Sequence, residues 1–518
     1  MPAQLTTRAQ VNGYRFLLRR LDHALVRRDV RMLHDPMRAQ SRSLITGAIL
    51  ALLVVAGATI MAFIKPQGSI GNANIVMGKD SGALYTVVRD KNDKNKMVLY
   101  PTLNLASARL LSGTSEKPTS VKDSKLGSVP RGPMIGIPGV PAALPGSGQG
   151  EHSQWTLCDR VLLSASGGSE SSSKAVTTVV AGTLQLDDHI KSADAGTAVL
   201  AKWTDDKNQD HTSLIYEGKI ADISSDATTQ KALTQVINLS STRPVSSKLM
   251  QGAVRVPMLI APEIAHAGDD GPDGLKSVKV GGVIKVAALD GSGGSNLYVV
   301  LADGIQRVSP FTAQFIRAVN SVKMDDIVSV TPDMIAGLPQ KHAYDPIPAN
   351  KGLPIDDFPS VTPRIVSAAE DPVSCVTWAK NNGYGKSQLD STESLSDWSK
   401  VQLLVGTRLP LSDSQVPVQL ATADVNSLDR VDQVYVPPAT GEFVQSTGNK
   451  PGTGELDSLY YIADNGIRYG IPDIKTAQIL GLDSQPHLAP WRIIGALVPG
   501  PTLSVEDAAK KWDSLPVG

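Results

Sequence analysis

Leu44 to Ile64 reads LITGAILALLVVAGATIMAFI, 21 residues without a charge, preceded by Arg42 and closed by Lys65-Pro66. An α-helix rises about 1.5 Å per residue, so the run spans roughly 30 Å, one hydrocarbon core. Buried helices of soluble proteins are shorter and seldom lack charge over such a length. A cleaved signal peptide has a shorter apolar region close to the N-terminus and a small-residue cleavage site. The reading is one membrane-spanning helix, with Gly47, Ala48, Ala51, Ala56, Gly57 and Ala58 small enough to let a neighbouring helix approach.

Charge gives the span a direction. Residues 1–43 carry nine Arg against Asp22, Asp29 and Asp35, a net of +6, which leaves −7 beyond Lys65 in a chain whose total is zero. Positive charge beside a first span holds that side in the cytoplasm. The expected topology is a cytoplasmic N-terminus and a large outer C-terminal region, in the inner (plasma) membrane. The adjacent span favours this reading of the arginines over nucleic-acid binding.

The basic segment has a helical pattern. Thr7-x-x-Gln10 resembles a capping box. Val11, Tyr14, Leu17, Leu18, Leu21, Leu25 and Met32 recur near the helical period, and Asp35-Pro36 is the expected stop. Arg15, Arg19, Arg20, Arg27, Arg28 and Arg31 take much of the rest. An amphipathic helix on anionic lipid and a docking helix for a cytoplasmic partner fit these residues equally.

With 518 residues, of which 45 are Gly and 34 Pro, the chain has room for several turn-rich domains. The first outer module has strands over 82–88 and 97–100 and an apolar helix over 103–111, stopped by Gly113. The pattern returns in NLYVVLADGIQRVSPFTAQFI (296–316) and SLYYIADNGIRYGIPDIKTAQIL (458–480), and in a divergent form in SLIYEGKIADISSDATTQKALTQVI (213–237). In the first two, a Leu-Tyr strand meets Asp303-Gly304 or Asn465-Gly466, which suit a type I′ hairpin with positive φ. Pro310 and Pro472 then stand near helix starts, and Gly481 can cap the last helix.

The expected organisation is a basic helix (1–43), the span (44–64), a first repeat (65–115), a Pro/Gly-rich strap (116–150), a central domain (151–420), a strand and fourth repeat (421–485) and a tail (486–518). The central domain holds the second repeat (about 213–238) and the third (about 293–320). Met134, Ile135, Ile137, Val140 and Leu144 suggest that the strap lies against a domain. Further strand-like runs are 175–186, 197–203, 253–260, 282–288 and 433–436, with a short helix over 505–512. The fold class is a single-pass membrane protein: one transmembrane helix plus a large extracytoplasmic mixed α/β (α+β) domain, with about four hairpin-plus-helix repeats around a β-rich centre.

Cys158 and Cys375 both fall on the outer side, where an even pair fits one disulfide, two buried thiols being the alternative. A bridge would close a loop of more than 200 residues, for which chain entropy gives about 5 kcal/mol. The clusters Trp155…Cys158 and Cys375…Trp378 are expected to meet, each Trp shielding the bridge.

No catalytic set emerges. Gly383-Tyr-Gly385-Lys386-Ser387 ends like a phosphate loop, but the leading glycine is replaced by Lys380. It reads as a surface turn. The loop His266-Ala-Gly-Asp269-Asp270-Gly-Pro-Asp273-Gly274 offers carboxylates for Ca²⁺ but lacks EF-hand spacing, and a solvated loop is expected. The scattered His include no H-E-x-x-H, and there is no G-x-S-x-G elbow. Neither a catalytic nor a metal or cofactor site is expected.

The basic helix TTRAQVNGYRFLLRRLDHALVRRDVRM, the single span, the Leu-Tyr repeats, the strap GPMIGIPGVP and the motif WTLCD together resemble the EccB family, a core membrane component of ESX, or type VII, secretion systems. The resemblance covers essentially the whole chain. It implies assembly with the motor ATPase EccC and with EccD and EccE. It also implies an elongated periplasmic domain that self-associates, and a disulfide matching Cys158 and Cys375. Family members are sometimes labelled ATPases, which keeps an ATP-hydrolysing subunit as the alternative function. ATP is a cofactor only on that alternative. A cell-wall-binding module is a second alternative.

Overall fold

The 21 uncharged residues and their flanks form one helix, since the run holds no Pro and no charge. In the computed structural model this helix runs Met37–Ile64, and its membrane-compatible part is Arg42–Met61. The hydroxyls of Thr46 and Thr59 donate to the carbonyls of Arg42 and Val55 at 2.8 and 2.9 Å. Both polar groups are thereby satisfied inside the helix, as a lipid environment demands. The structure describes residues 7–30, 37–64, 70–90, 96–150, 152–162, 175–205, 207–288, 294–381, 399–421, 431–482 and 485–513. They fall into two units, Met1–Gly71 and Asn72–Gly518.

The first unit also contains the helix Arg8–Arg27. Its start follows the capping pattern: the Thr7 N–H donates to Gln10 Oε1 at 2.9 Å. Its end comes earlier than the expected Asp35-Pro36 stop. Arg28 turns left-handed at φ 56°, and Arg27 places a cation on the last turn, where the unpaired carbonyls favour it. Arg31, Met32 and the Asp35-Pro36 pair lie outside the described residues.

In the second unit, four sheets share one strand order. Each opens with a three-stranded antiparallel meander: Ile75–Gly78, Leu84–Arg89 and Met97–Pro101; Thr197–Thr204, Asp210–Tyr216 and Lys219–Asp222; Val283–Ala287, Ser295–Leu301 and Gly304–Val308; Gly441–Thr447, Leu456–Ala463 and Ile467–Ile471. A helix follows, and the next strand returns parallel to the first: Thr119–Val121, Thr242–Pro244, Val328–Val330 and His487–Pro490. In three sheets a short helix leads to a further strand parallel to the third: Val254–Arg255, Gln340–Lys341 and Val498–Pro499. In the first sheet the bridge Leu99↔Arg131 takes that place. The unit is therefore larger than a hairpin and a helix. Its opening and closing strands lie far from the Leu-Tyr hairpin in sequence and pair only in three dimensions.

The meander helices start alike. Asn104, Asp226, Ser309 and Asp473 each accept an N–H from the residue three positions on, at 2.7 to 3.1 Å. Such side chains satisfy a donor that the first turn leaves open. Pro310 occupies the first turn behind Ser309, whereas Pro472 stands one residue before the cap Asp473. Gly481 at φ 79° follows the last of these helices.

The turns differ from expectation. Leu301 pairs with Gly304, so Ala302 and Asp303 form the loop, and neither Asp303 nor Gly304 has a positive φ. At the other site only Gly466 does, at 80°, and its N–H donates to the Ala463 carbonyl at 2.9 Å. That is a type I turn closed by a left-handed glycine. A Cβ on Gly466 would also lie 2.3 Å from Val434, which belongs to the central sheet. A two-residue hairpin turn with positive φ at both positions does occur at Glu217-Gly218, at 49° and 74°, where it joins Tyr216 to Lys219.

The fifth large sheet has seven strands in the order Val418–Gln419, Gln433–Tyr435, Ala175–Ala181, His152–Val161, Val373–Asn381, Lys400–Gly406, Ile190–Ser192. The strand at Gln433, expected just before the last repeat, forms and pairs parallel with Thr178–Val180. Of the expected strand 253–260 only Val254–Arg255 forms, since Pro257 has no N–H to continue the ladder. Of the expected helix 505–512 only Val505–Ala508 forms; Lys511–Trp512 pairs with Met134–Ile135 of the strap.

Trp155 lies opposite Trp378, and Cys158 opposite Cys375, on neighbouring antiparallel strands. Side chains alternate faces along a strand, so a spacing of three puts each Trp on the face away from its Cys. The two Trp enter the largest core, with Val199, Leu249, Val434, Val444 and Ile493. The disulfide sits on the other face among Ile190, Val373 and Leu404. The tryptophans do not shield it.

Candidate assembly surfaces

The arginines of the first helix stand where they can meet a partner. None of the residues of Arg8–Arg27 is buried, and Arg15, Arg19, Arg20, Arg27 and Arg28 are all exposed. Arg15 and Arg19 share a face at i, i+4. Tyr14, Leu17, Leu18, Leu21 and Leu25 are equally exposed, Leu25 to 77 %. The helix is amphipathic, and both its apolar stripe and its cations are open to solvent among the described residues.

The strap binds the first sheet module of the second unit to the C-terminal one. Asn104 Nδ2 donates to the Ile137 carbonyl at 2.8 Å, and the Ile137 N–H returns to Ser107 Oγ at 2.9 Å. Tyr461, Tyr469 and Trp512 donate to the carbonyls of Pro145, Gly139 and Gly136 at 2.9, 2.8 and 2.7 Å. Burial pushes the Tyr469 phenol up to about 12 and raises Tyr461 as well. Glu442, fully buried, accepts from Ser147 Oγ at 2.6 Å and from the Gly148 N–H at 2.9 Å, with His487 Nδ1 3.5 Å away. A proline-rich segment offers many carbonyls and few N–H groups; here the globular side supplies the donors. Ile137 is buried with Leu110, Leu459 and Leu480, and Val140 and Leu144 pack against that cluster.

Arg109 adds a direct tie between these modules. Its Nη1 donates to the Leu480 carbonyl at 2.6 Å, at the end of the helix Ile474–Ile479, and desolvation lowers its pKa. In the central sheet Asp159 is fully buried next to Cys158. It accepts from Thr177 Oγ1, the Ser246 N–H and Ser246 Oγ at 2.8, 2.6 and 2.9 Å. Burial dominates, and the Asp159 carboxyl is pushed up to about 6.

The remaining sequence candidates do not converge. Asp270 pairs with Lys279 at 2.6 Å, Asp273 with Lys276 at 2.9 Å, and Asp269 lies 3.5 Å from His266. No group of three or more His, Cys, Asp or Glu able to hold a metal occurs among the described residues. Gly383, Gly385, Lys386 and Ser387 lie outside them. Sequence reasoning passed over Arg109, Glu442 and Arg468. The available signal was a lone charged residue inside an otherwise uncharged strand or helix, GEFVQST, IRYGI and LASARLLS.

Residues 3–517 match the family described as "Type VII secretion system ESX-1, transport TM domain B". The ESX-5 secretion system ATPase EccB5 of Mycobacterium tuberculosis is 33 % identical over 521 residues, 99 % of this chain and 95 % of the relative. The ESX-1 secretion system ATPase EccB1 of the same species is 34 % identical, covering 100 % and 97 %. Among solved structures, a chain of an intact ESX-5 inner membrane complex aligns with a TM-score of 0.64 at 30 % identity, over 100 % of this chain and 98 % of that one. The EccB3 dimer from the ESX-3 core complex aligns with a TM-score of 0.66 at 28 % identity, over 84 % and 100 %.

Proposed function

The chain belongs to the EccB family of type VII secretion subunits, and from that premise we propose that it is a non-catalytic scaffold for protein export. It is a component of the ESX inner-membrane complex. The Arg8–Arg27 helix docks to cytoplasmic partners, the span anchors the subunit, and the sheet-built body assembles with further copies in the periplasm. The partners are the motor ATPase EccC and the membrane subunits EccD and EccE. The N-terminus is cytoplasmic, on the strength of nine Arg before the span. We read the four sheets of shared strand order as four copies of one unit, set around the seven-stranded sheet.

One observation carries this reading: a helix long and apolar enough to span a membrane follows an exposed Arg-rich helix and precedes a large body in which Arg109 and Glu442 are held by internal ties. The relatives EccB5 and EccB1 are named as ATPases, which favours a second reading, an ATP-hydrolysing subunit. The sequence has no complete phosphate loop to support it. Assaying ATP turnover by the purified full chain, free of the motor subunit, separates the two. Scaffolding predicts background turnover; robust turnover abolished by Lys386→Ala contradicts it.

A further inference from the structure

The seven-stranded sheet ends differently on its two sides. One edge is Ile190–Ser192, where exposed Lys191 pairs with Asp188 at 3.0 Å, charges of the kind that keep a free edge from pairing. The other edge is Val418–Gln419, and residues 414–421, SQVPVQLA, carry no charge. Asp413, just before them, is held by Arg408 at 2.7 Å. Val416 and Val418 are 74 % and 46 % exposed. Val418 lies two residues from Leu420, which enters the largest core, and so shares its face.

The ladder fixes where the backbone of this edge points. The Leu420 N–H donates to the Asp432 carbonyl at 2.9 Å, and Val418 and Gln419 sit opposite Val434 and Gln433. Bonded and non-bonded positions alternate in an antiparallel pair, so Val418 and Leu420 bond inward and the N–H and C=O of Gln419 point out of the sheet. Among the described residues no strand lies beyond them. Such an edge is its own complement. A second copy turned about a twofold axis through Gln419 sets Gln419 opposite itself, exchanges two N–H···O bonds and brings Val418 opposite Leu420 of the second copy. Pro417 has no N–H to exchange, which excludes the register centred on itself. The same strand thus supplies both the bonds and the uncharged, Val-lined flank that faces it. We propose that two copies of the chain join edge to edge through residues 416–419, running the sheet and its apolar face from one copy into the next. This deepens the assembly reading, in which the body meets further copies, and rests on it.

The test is cross-linking at the edge. Both native cysteines are bridged, so a single new cysteine is the target of a short bismaleimide. Gln419→Cys is made in the full chain, purified alone in mild detergent, with Ser192→Cys on the opposite edge as the control. Expected is covalent dimer from Gln419→Cys in at least about fivefold excess over Ser192→Cys. Val418→Lys, added to Gln419→Cys, sets like charges on the shared edge and should cut that yield by about fivefold or more. Should Val418→Lys not fold, Val416→Lys, at the more exposed position, replaces it with the same loss expected. The proposal is overturned by no dimer, by an equal or higher yield from Ser192→Cys, or by an undiminished yield in the Lys variant. Co-purification with other subunits is a separate measurement, so failure here leaves the assembly reading standing.

Discussion

Arg109 reaches across 371 residues of sequence to donate a 2.6 Å hydrogen bond to the Leu480 carbonyl, joining the first sheet module of the body to the end of the helix Ile474–Ile479. A half-buried cation at a helix C-terminus satisfies a carbonyl that the helix leaves open and faces the negative end of its dipole. Removing it should cost about 2 kcal/mol. Arg109→Ala is expected to lower the melting temperature and to raise hydrogen exchange in both Leu105–Ser112 and Ile474–Ile479. Unchanged exchange at Ile474–Ile479 would mean that the contact carries no coupling.

The Glu442 latch gives a second outcome. Glu442→Gln keeps the shape but gives up the charge-assisted bonds to Ser147 and Gly148. Charged hydrogen bonds contribute about 1.5–3 kcal/mol each, and the amide recovers part of that. The strap around 139–150 should become more sensitive to limited proteolysis in the variant, with cleavage elsewhere unchanged.

How far these ties could be read from sequence depends on distance along the chain. The span was legible because 21 apolar residues admit one interpretation. The Leu-Tyr hairpins were legible because their strands are adjacent. The return strands were not: Thr119–Val121 pairs with Ile75–Gly78, and His487–Pro490 with Gly441–Thr447, after intervening strands and a helix. The sheet that Gln433–Tyr435 joins was not legible for the same reason, since its partner lies some 255 residues earlier. The Trp–Cys clusters do meet, but the spacing of three, not the proximity, decides which face each side chain takes. Strap packing was legible from its apolar residues; the Tyr, Trp and Glu that hold it were not, because no local pattern marks a long-range donor.

The disulfide should matter most in the unfolded state. Cys158 and Cys375 are 217 residues apart in sequence, yet they oppose each other on strands that already pair over nine positions. The bridge therefore adds little to native contacts and removes freedom from the unfolded chain, by about 5 kcal/mol on the chain-entropy model. Cys158→Ala with Cys375→Ala is expected to lower the denaturant midpoint strongly. Trp155 and Trp378 fluorescence in the native protein should hardly change, because both face the opposite core.

Asp159 sets a pH dependence with a definite sign. Its folded pKa, about 6, lies above the ordinary carboxylate value of 3.8. Between these values the folded protein binds the proton more tightly, so its contribution to stability is complete below about pH 4 and is lost as pH rises through about 6. A shift of about two units corresponds to about 3 kcal/mol. Urea midpoints of wild type and Asp159→Asn, measured from pH 4 to 7, should diverge by that order, the wild type falling relative to the variant. Parallel curves would remove Asp159 as the source.

The central claim is that this chain joins assembly surfaces on the two sides of a membrane. The most direct measurement is extraction of the tagged full chain from native membranes in mild detergent, followed by identification of the co-purifying chains. The account predicts recovery in a large complex with the motor ATPase and other membrane subunits, and loss of that complex when Arg15, Arg19 and Arg20 are changed to Glu. Recovery of the chain alone, or an undiminished complex from the charge-reversed variant, would contradict it.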